Sequence, residues 1–116
     1  STSLDELPEL WNILKGDMPV YYAEDIPGLS PEGTTRLDVS TPAEFGMSTI
    51  PGYQNIPLDE LRGRLSELDP NKPVYVTCRV GLRGYLATRI LKQHGFDAYN
   101  LSGGMKTYQL ARETEP

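Results

Sequence analysis

Val74-Tyr75-Val76-Thr77-Cys78-Arg79-Val80-Gly81-Leu82-Arg83 is the stretch whose reading decides the fold. Its first four residues are β-branched or aromatic, lack polar alternation and are too few for a helix, the pattern of a parallel strand buried on both faces. From Leu82 to His94 the chain reads as a helix ended by Gly95. A thiol, two guanidinium groups and a glycine therefore fall in the turn between a central strand and a helix. In open α/β sheets this rim, at the carboxyl ends of the strands, is where ligands bind.

The same alternation extends outward from this stretch. Val20 to Ala23 reads as a short strand, Ile26 to Thr34 as a loop carrying Pro27, Gly28, Pro31 and Gly33, and Arg36 to Val39 as a second strand. Thr41 is placed to cap a helix that has Pro42 at its first position, where a missing N–H costs nothing. Gln54 to Ile56 is a candidate third strand. Leucines at 58, 61, 65 and 68 predict one helix over Leu58 to Leu68, stopped by Asp69-Pro70-Asn71-Lys72-Pro73. Asp97 to Leu101 predicts a last strand and Gly104 to Arg112 a last helix. Alternating strands and helices imply an α/β fold, a mainly parallel sheet with helices on both faces. Residues 1–17 read as an N-terminal extension or linker helix, with Leu4 to Lys15 at near-helical spacing and Gly16 as its C-cap; residues 18–116 read as the domain.

Composition narrows the function. The 116 residues carry 11 basic and 16 acidic side chains, a net charge of −5, which argues against a nucleic-acid binder. Hydrophobic residues at 38% and charged ones at 23% fit one globular unit. No apolar run approaches the roughly 18 residues of a membrane span, and Ser1 to Glu6 lack a signal-peptide pattern, so a soluble cytoplasmic protein with no membrane partner is expected. One cysteine, Cys78, and one histidine, His94, exclude an internal disulfide and the usual zinc clusters. The start at Ser1 suggests processing, a tag scar or a piece of something longer.

In the loop itself, N–H groups of a turn entering a helix have no intrahelical partner and can converge on one anion, assisted by the helix dipole. Such a nest, with cations beside it, favours a reactive thiolate. The competing reading makes Cys78 a small buried hydrophobe at a strand end. Gly81, Arg79 and Arg83 favour function, because a purely structural turn needs no two cations beside a thiol. Asp38 and Glu44 read as structural, through turn bonding and the helix dipole. His94, at a helix C-terminus, reads the same way, and the seven tyrosines read as core and rim packing.

Four motifs in order resemble the rhodanese-type sulfurtransferase domain, over roughly residues 18 to 112. Leu37-Asp38-Val39 with Pro42-Ala43-Glu44-Phe45 is followed by Ile50-Pro51-Gly52 and Asn55-Ile56-Pro57-Leu58; Cys78 to Arg83 is similar to the active-site loop; and Leu101-Ser102-Gly103-Gly104 is similar to the closing signature. The resemblance implies a sheet of about five strands. It also implies a Cys78 that carries a transferred sulfur as a persulfide, with Arg79, Val80, Gly81, Leu82 and Arg83 binding the substrate and no metal. Ser40 stands where the family usually has arginine, Ser48-Thr49 where it commonly has Gly-His, and Tyr108 where tryptophan is frequent.

Arginine falls five positions after the cysteine, one fewer than in related phosphatases, and the tighter ring of amides suits a sulfur-sized anion over a tetrahedral phosphate. Cys78 to Ala87 is further similar to rhodanese modules fused behind flavin-dependent coenzyme A-disulfide reductases or NADH oxidases. That likeness implies no cofactor in this domain, and FAD, NAD(P)H and CoA only if a reductase domain precedes it. The implied partners are small sulfur-containing anions or thiols, and a reductase domain or sulfur-acceptor protein. A non-catalytic binding module of the same fold is the alternative, and a phosphatase-type relative a more distant one.

Overall fold

Five short segments, all but the polar Gln54–Asn55 carrying β-branched, aromatic or aliphatic side chains, pair side by side: β1 (Val20–Tyr21), β2 (Thr35–Asp38), β3 (Gln54–Asn55), β4 (Val74–Thr77) and β5 (Ala98–Leu101). The computed structural model describes residues 19–113; the linker helix expected over Leu4 to Lys15, its cap Gly16 and the 1–17 boundary lie outside the described residues. The strand order is β1-β5-β4-β2-β3, and every pairing is parallel. β4 is central, with Leu37 opposite Val76 on one side and Val76 opposite Asn100 on the other. No helix among the described residues is long and apolar enough to cross a membrane.

Side chains alternate between two cores, as the two-residue period of a strand requires. Leu37, Val74, Val76 and Ala98 face one layer with Leu61, Ala87, Ile90, Leu91 and Phe96. Tyr21, Tyr75, Tyr99 and Leu101 face the other, with Ile50, Tyr53, Met105 and Tyr108. The first layer is covered by α2 (Leu58–Leu61) and α3 (Leu82–Gln93), the second by α4 (Gly104–Glu113) and the 3-10 turn Ala23–Gly28. The tyrosines pack as expected: Tyr21 meets Tyr75 edge-on at 5.0 Å, and Tyr75 stacks on Tyr99 at 5.1 Å.

Two expectations change. The loop expected from Ile26 begins inside the 3-10 turn Ala23–Gly28, where Asp25 accepts the Tyr22 N–H at 2.9 Å and draws the chain into a tight coil. The single helix expected over Leu58 to Leu68 is α2, a four-residue helix, then a 3-10 turn at Leu65–Glu67. Gly63 and Arg64 bond three residues back, to Glu60 and Leu61, so the spiral tightens and stops after Leu61. Arg64 spans the break, held by Glu60 at 3.0 Å and Glu67 at 2.7 Å. Leu58, Leu61, Leu65 and Leu68 still reach one core, so the spacing reports the shared face and not the continuity of the helix.

Thr41 caps α1 (Pro42–Met47) as expected, accepting the Glu44 N–H while the Glu44 carboxylate accepts the Thr41 N–H. At the other side of the sheet, the β5–α4 turn folds over the segment after β4. Met105 N donates to Cys78 O at 2.7 Å and Lys106 N to Arg79 O at 3.0 Å. Gly104 makes this approach possible: at φ +61° a Cβ there would stand 2.6 Å from Cys78 O and 2.9 Å from Gly81 N. Gly104→Ala is expected to cost about 1–3 kcal/mol in urea unfolding. Gly46→Ala, in open space on α1, is expected to be neutral or slightly stabilising.

Candidate active site

Cys78 is the residue after β4, and the chain must turn sharply there to enter α3. Gly81 makes the turn at φ +105°, a conformation open to glycine. Its N–H swings back to donate to Cys78 Sγ at 3.0 Å. Gly81 O accepts from Asn100 Nδ2 at 3.0 Å and from Tyr85 N at 2.9 Å. A planar trans peptide then turns the Leu82 N–H the opposite way. Among the described residues, the N–H groups of Val80, Leu82 and Arg83 have no protein acceptor. The sulfur thus lies against the dipole-positive entrance of a twelve-residue helix.

The thiol sits at the floor of this loop. Cys78 is 1% exposed and packs in the aliphatic layer with Val39, Val76 and Ala87. Gly84 leaves room beside it: a methyl group there would lie 3.6 Å from Sγ and would overlap Asn100 Oδ1. Asn100 is buried on β5 and its Oδ1 has no partner, so it is a site residue that sequence reasoning missed. Its one signal was a polar amide inside an otherwise apolar strand.

Both arginines flank the thiol, yet their guanidinium groups are engaged elsewhere. Arg79 reaches under α1, donating to Asp38 Oδ2 at 3.0 Å, Ser40 Oγ at 3.0 Å and Ser48 Oγ at 3.2 Å. Asp38 is fully buried, and Thr49 Oγ1 and Ser40 N complete its bonds. Three of the residues at which the chain departs from the resemblance, Ser40, Ser48 and Thr49, therefore converge on one network around Asp38 and Arg79. Arg83 is gripped by both Glu44 oxygens, at 2.7 and 3.0 Å. The Arg83 hydrogen bond chiefly, and the Thr41 backbone next, hold the Glu44 carboxyl down at about 2 from an ordinary 4.5. The same bond to Glu44 raises Arg83 above its ordinary value.

Each guanidinium faces a carboxylate, and the group of residues 79–83 that meets the sulfur is the Gly81 N–H. Asp38 and Glu44, read as structural from sequence, do make the expected turn and capping bonds. They also fix the two arginines. His94 bonds the Ile90 carbonyl at the end of α3, away from the loop's hydrogen bonds.

The all-parallel five-stranded sheet, with a cysteine loop at the carboxyl end of its central strand, defines an open α/β protein with its candidate site at the strand ends. The chain belongs to the rhodanese-like domain family, which matches residues 8–111. It is 40% identical over 73 residues to the uncharacterized protein YqhL of Bacillus subtilis, covering 62% of this chain and 58% of that one. A sulfurtransferase of Allochromatium vinosum is 35% identical over 75 residues, covering 64% and 70%. The crystal structure of reduced Bacillus anthracis CoADR-RHD superposes with a TM-score of 0.77 at 40% identity, covering 84% of this chain and 17% of that one. The chain thus spans a little over half of YqhL and about a sixth of the B. anthracis protein.

Two outcomes test the network. Arg79→Ala strands the Asp38 charge in the interior and is expected to cost roughly 3 kcal/mol in chemical unfolding, with Arg79→Lys intermediate because it keeps charge but loses the fork. For Glu44, the folded carboxyl lies below its unfolded value, so its stabilisation is complete above about 4.5 and is lost as pH falls toward about 2. The stability difference between the wild type and Glu44→Gln is expected to shrink over that window in acid titrations followed by circular dichroism.

Proposed function

We propose that this domain is a sulfurtransferase that carries a sulfane sulfur on Cys78. The observation that carries the reading is the Gly81 N–H on Cys78 Sγ at 3.0 Å, within a turn whose remaining N–H groups are uncommitted. The thiolate attacks the outer sulfur of thiosulfate or of a low-molecular-weight persulfide. A new S–S bond forms, the donor's S–S bond breaks, and its electron pair leaves with sulfite or a thiolate. The terminal sulfur then holds the negative charge, and backbone N–H groups of residues 79–83 stabilise it. A thiol or cyanide-type acceptor removes that sulfur and restores Cys78, a ping-pong sequence.

The likeness to CoADR-RHD supports a place for this chain as a module of a larger flavin-dependent pyridine nucleotide-disulfide oxidoreductase. In that setting FAD, NAD(P)H and CoA belong to the preceding reductase, and the partner is that reductase or a sulfur-acceptor protein. The burial of Cys78 favours one rival, a non-catalytic rhodanese-fold module in which the residue is only a small hydrophobe. Intact-mass measurement after incubation with thiosulfate or cysteine persulfide separates them. A gain of one sulfur, absent in Cys78→Ser, is expected; no gain with either donor supports the rival.

A further inference from the structure

We infer that Asn100 is a positioning residue of the sulfur site, holding the Gly81 carbonyl from β5 so that the Gly81 N–H stays on the Cys78 sulfur. The inference rests on the sulfur-transfer reading above and names a residue through which that site works.

Packing alone does not account for an amide at this position. Asn100 shares its face of β5 with the fully buried Ala98, and only 8% of it is exposed. Its Oδ1 has no hydrogen-bond partner among the described residues, and a buried carbonyl without a donor is unfavourable. Leucine has the same branched shape and would fill the space without leaving a polar atom stranded.

What the amide supplies is a donor. Asn100 Nδ2 donates to Gly81 O at 3.0 Å, and Tyr85 N donates to the same oxygen at 2.9 Å. The two bonds come from different elements. Tyr85 belongs to α3 and moves with it, whereas Asn100 lies on β5 opposite Val76 of β4, two residues before Cys78. Asn100 thus ties the turn to the strand that carries the thiol. Gly81 stands at φ +105° and ψ −16°, and glycine has many other backbone states open to it. A carbonyl held from both α3 and β5 removes that freedom, and the N–H of the same residue remains 3.0 Å from Sγ.

Gly84 shows the fit from the helix side. A methyl group there would overlap Asn100 Oδ1 and lie 3.6 Å from Cys78 Sγ, so the first turn of α3 is hollowed where the amide and the thiol meet it. In the proposed reaction the acceptor attacks the terminal sulfur, the S–S bond breaks, and its electron pair returns to Sγ. The Gly81 N–H meets that charge, and Asn100 acts on it through the Gly81 backbone.

Asn100→Leu keeps the branched shape and removes the donor, and Asn100→Ala removes both. With thiosulfate as donor, cyanide as acceptor and thiocyanate as readout, each variant is expected to lose about tenfold in kcat/KM for both substrates, less than the hundredfold or more that loss of a direct donor costs. The urea midpoint of Asn100→Leu is expected to equal or exceed that of the wild type, because the stranded carbonyl is gone. A residue that only supported the fold would lose stability and rate together. Wild-type kcat/KM in either folded variant, or a lowered urea midpoint for Asn100→Leu alongside its lowered rate, would overturn the inference and leave sulfur transfer standing. A wild type that gains no sulfur from thiosulfate or cysteine persulfide would remove the transfer reading, and the role of Asn100 with it.

Discussion

Asp38 ends β2 inside the protein with no exposure to water, and a carboxylate in that position is tolerable only if charge and hydrogen bonds meet it. Arg79 meets it, and in doing so ties the first residue of the loop beyond Cys78 to the neighbouring strand. Ser40, Ser48 and Thr49 supply the remaining partners, so the segment from β2 through α1 closes around one guanidinium. The loop's course is therefore set from two sides. Asp38 anchors it on the β2 side, and Met105 and Lys106 hold the carbonyls of Cys78 and Arg79 on the β5 side. Between these anchors Gly81 turns at φ +105°, and that turn aims its N–H at the sulfur.

The consequence for chemistry is a division of labour between side chains and backbone. The arginines hold the loop, and in the proposed sulfur transfer the charge is left to peptide dipoles, which lose no side-chain entropy and need no rearrangement when a charge arrives. The thiol itself lies at the floor of the loop, 1% exposed.

The elements that sequence read correctly are those whose cause is local. Val74–Thr77 is legible because four β-branched or aromatic residues cannot make a helix of useful length, and α1 because Thr41, Pro42 and Glu44 form a complete start signal within four positions. Leu58 to Leu68 misled because leucine spacing reports a common face, and both a helix and a helix followed by a 3-10 turn satisfy it. Within the site, Cys78, Gly81 and the two arginines stand next to one another in the chain. Asn100, Asp38 and Glu44 are between about twenty and forty positions away, and nothing local tells which of them faces the loop.

By itself, then, the amino-acid sequence determined the alternation of strands and helices and the thiol-bearing turn at the end of the central strand, because these follow from side-chain shape and backbone preference over a few residues. Only the tertiary structure decided which way the arginines point. A guanidinium goes to whichever carboxylate the packing brings within reach, and that reach, across β2, α1, the turn after β4 and α3, exists only once the parallel sheet has brought residues 38, 44, 79 and 83 together.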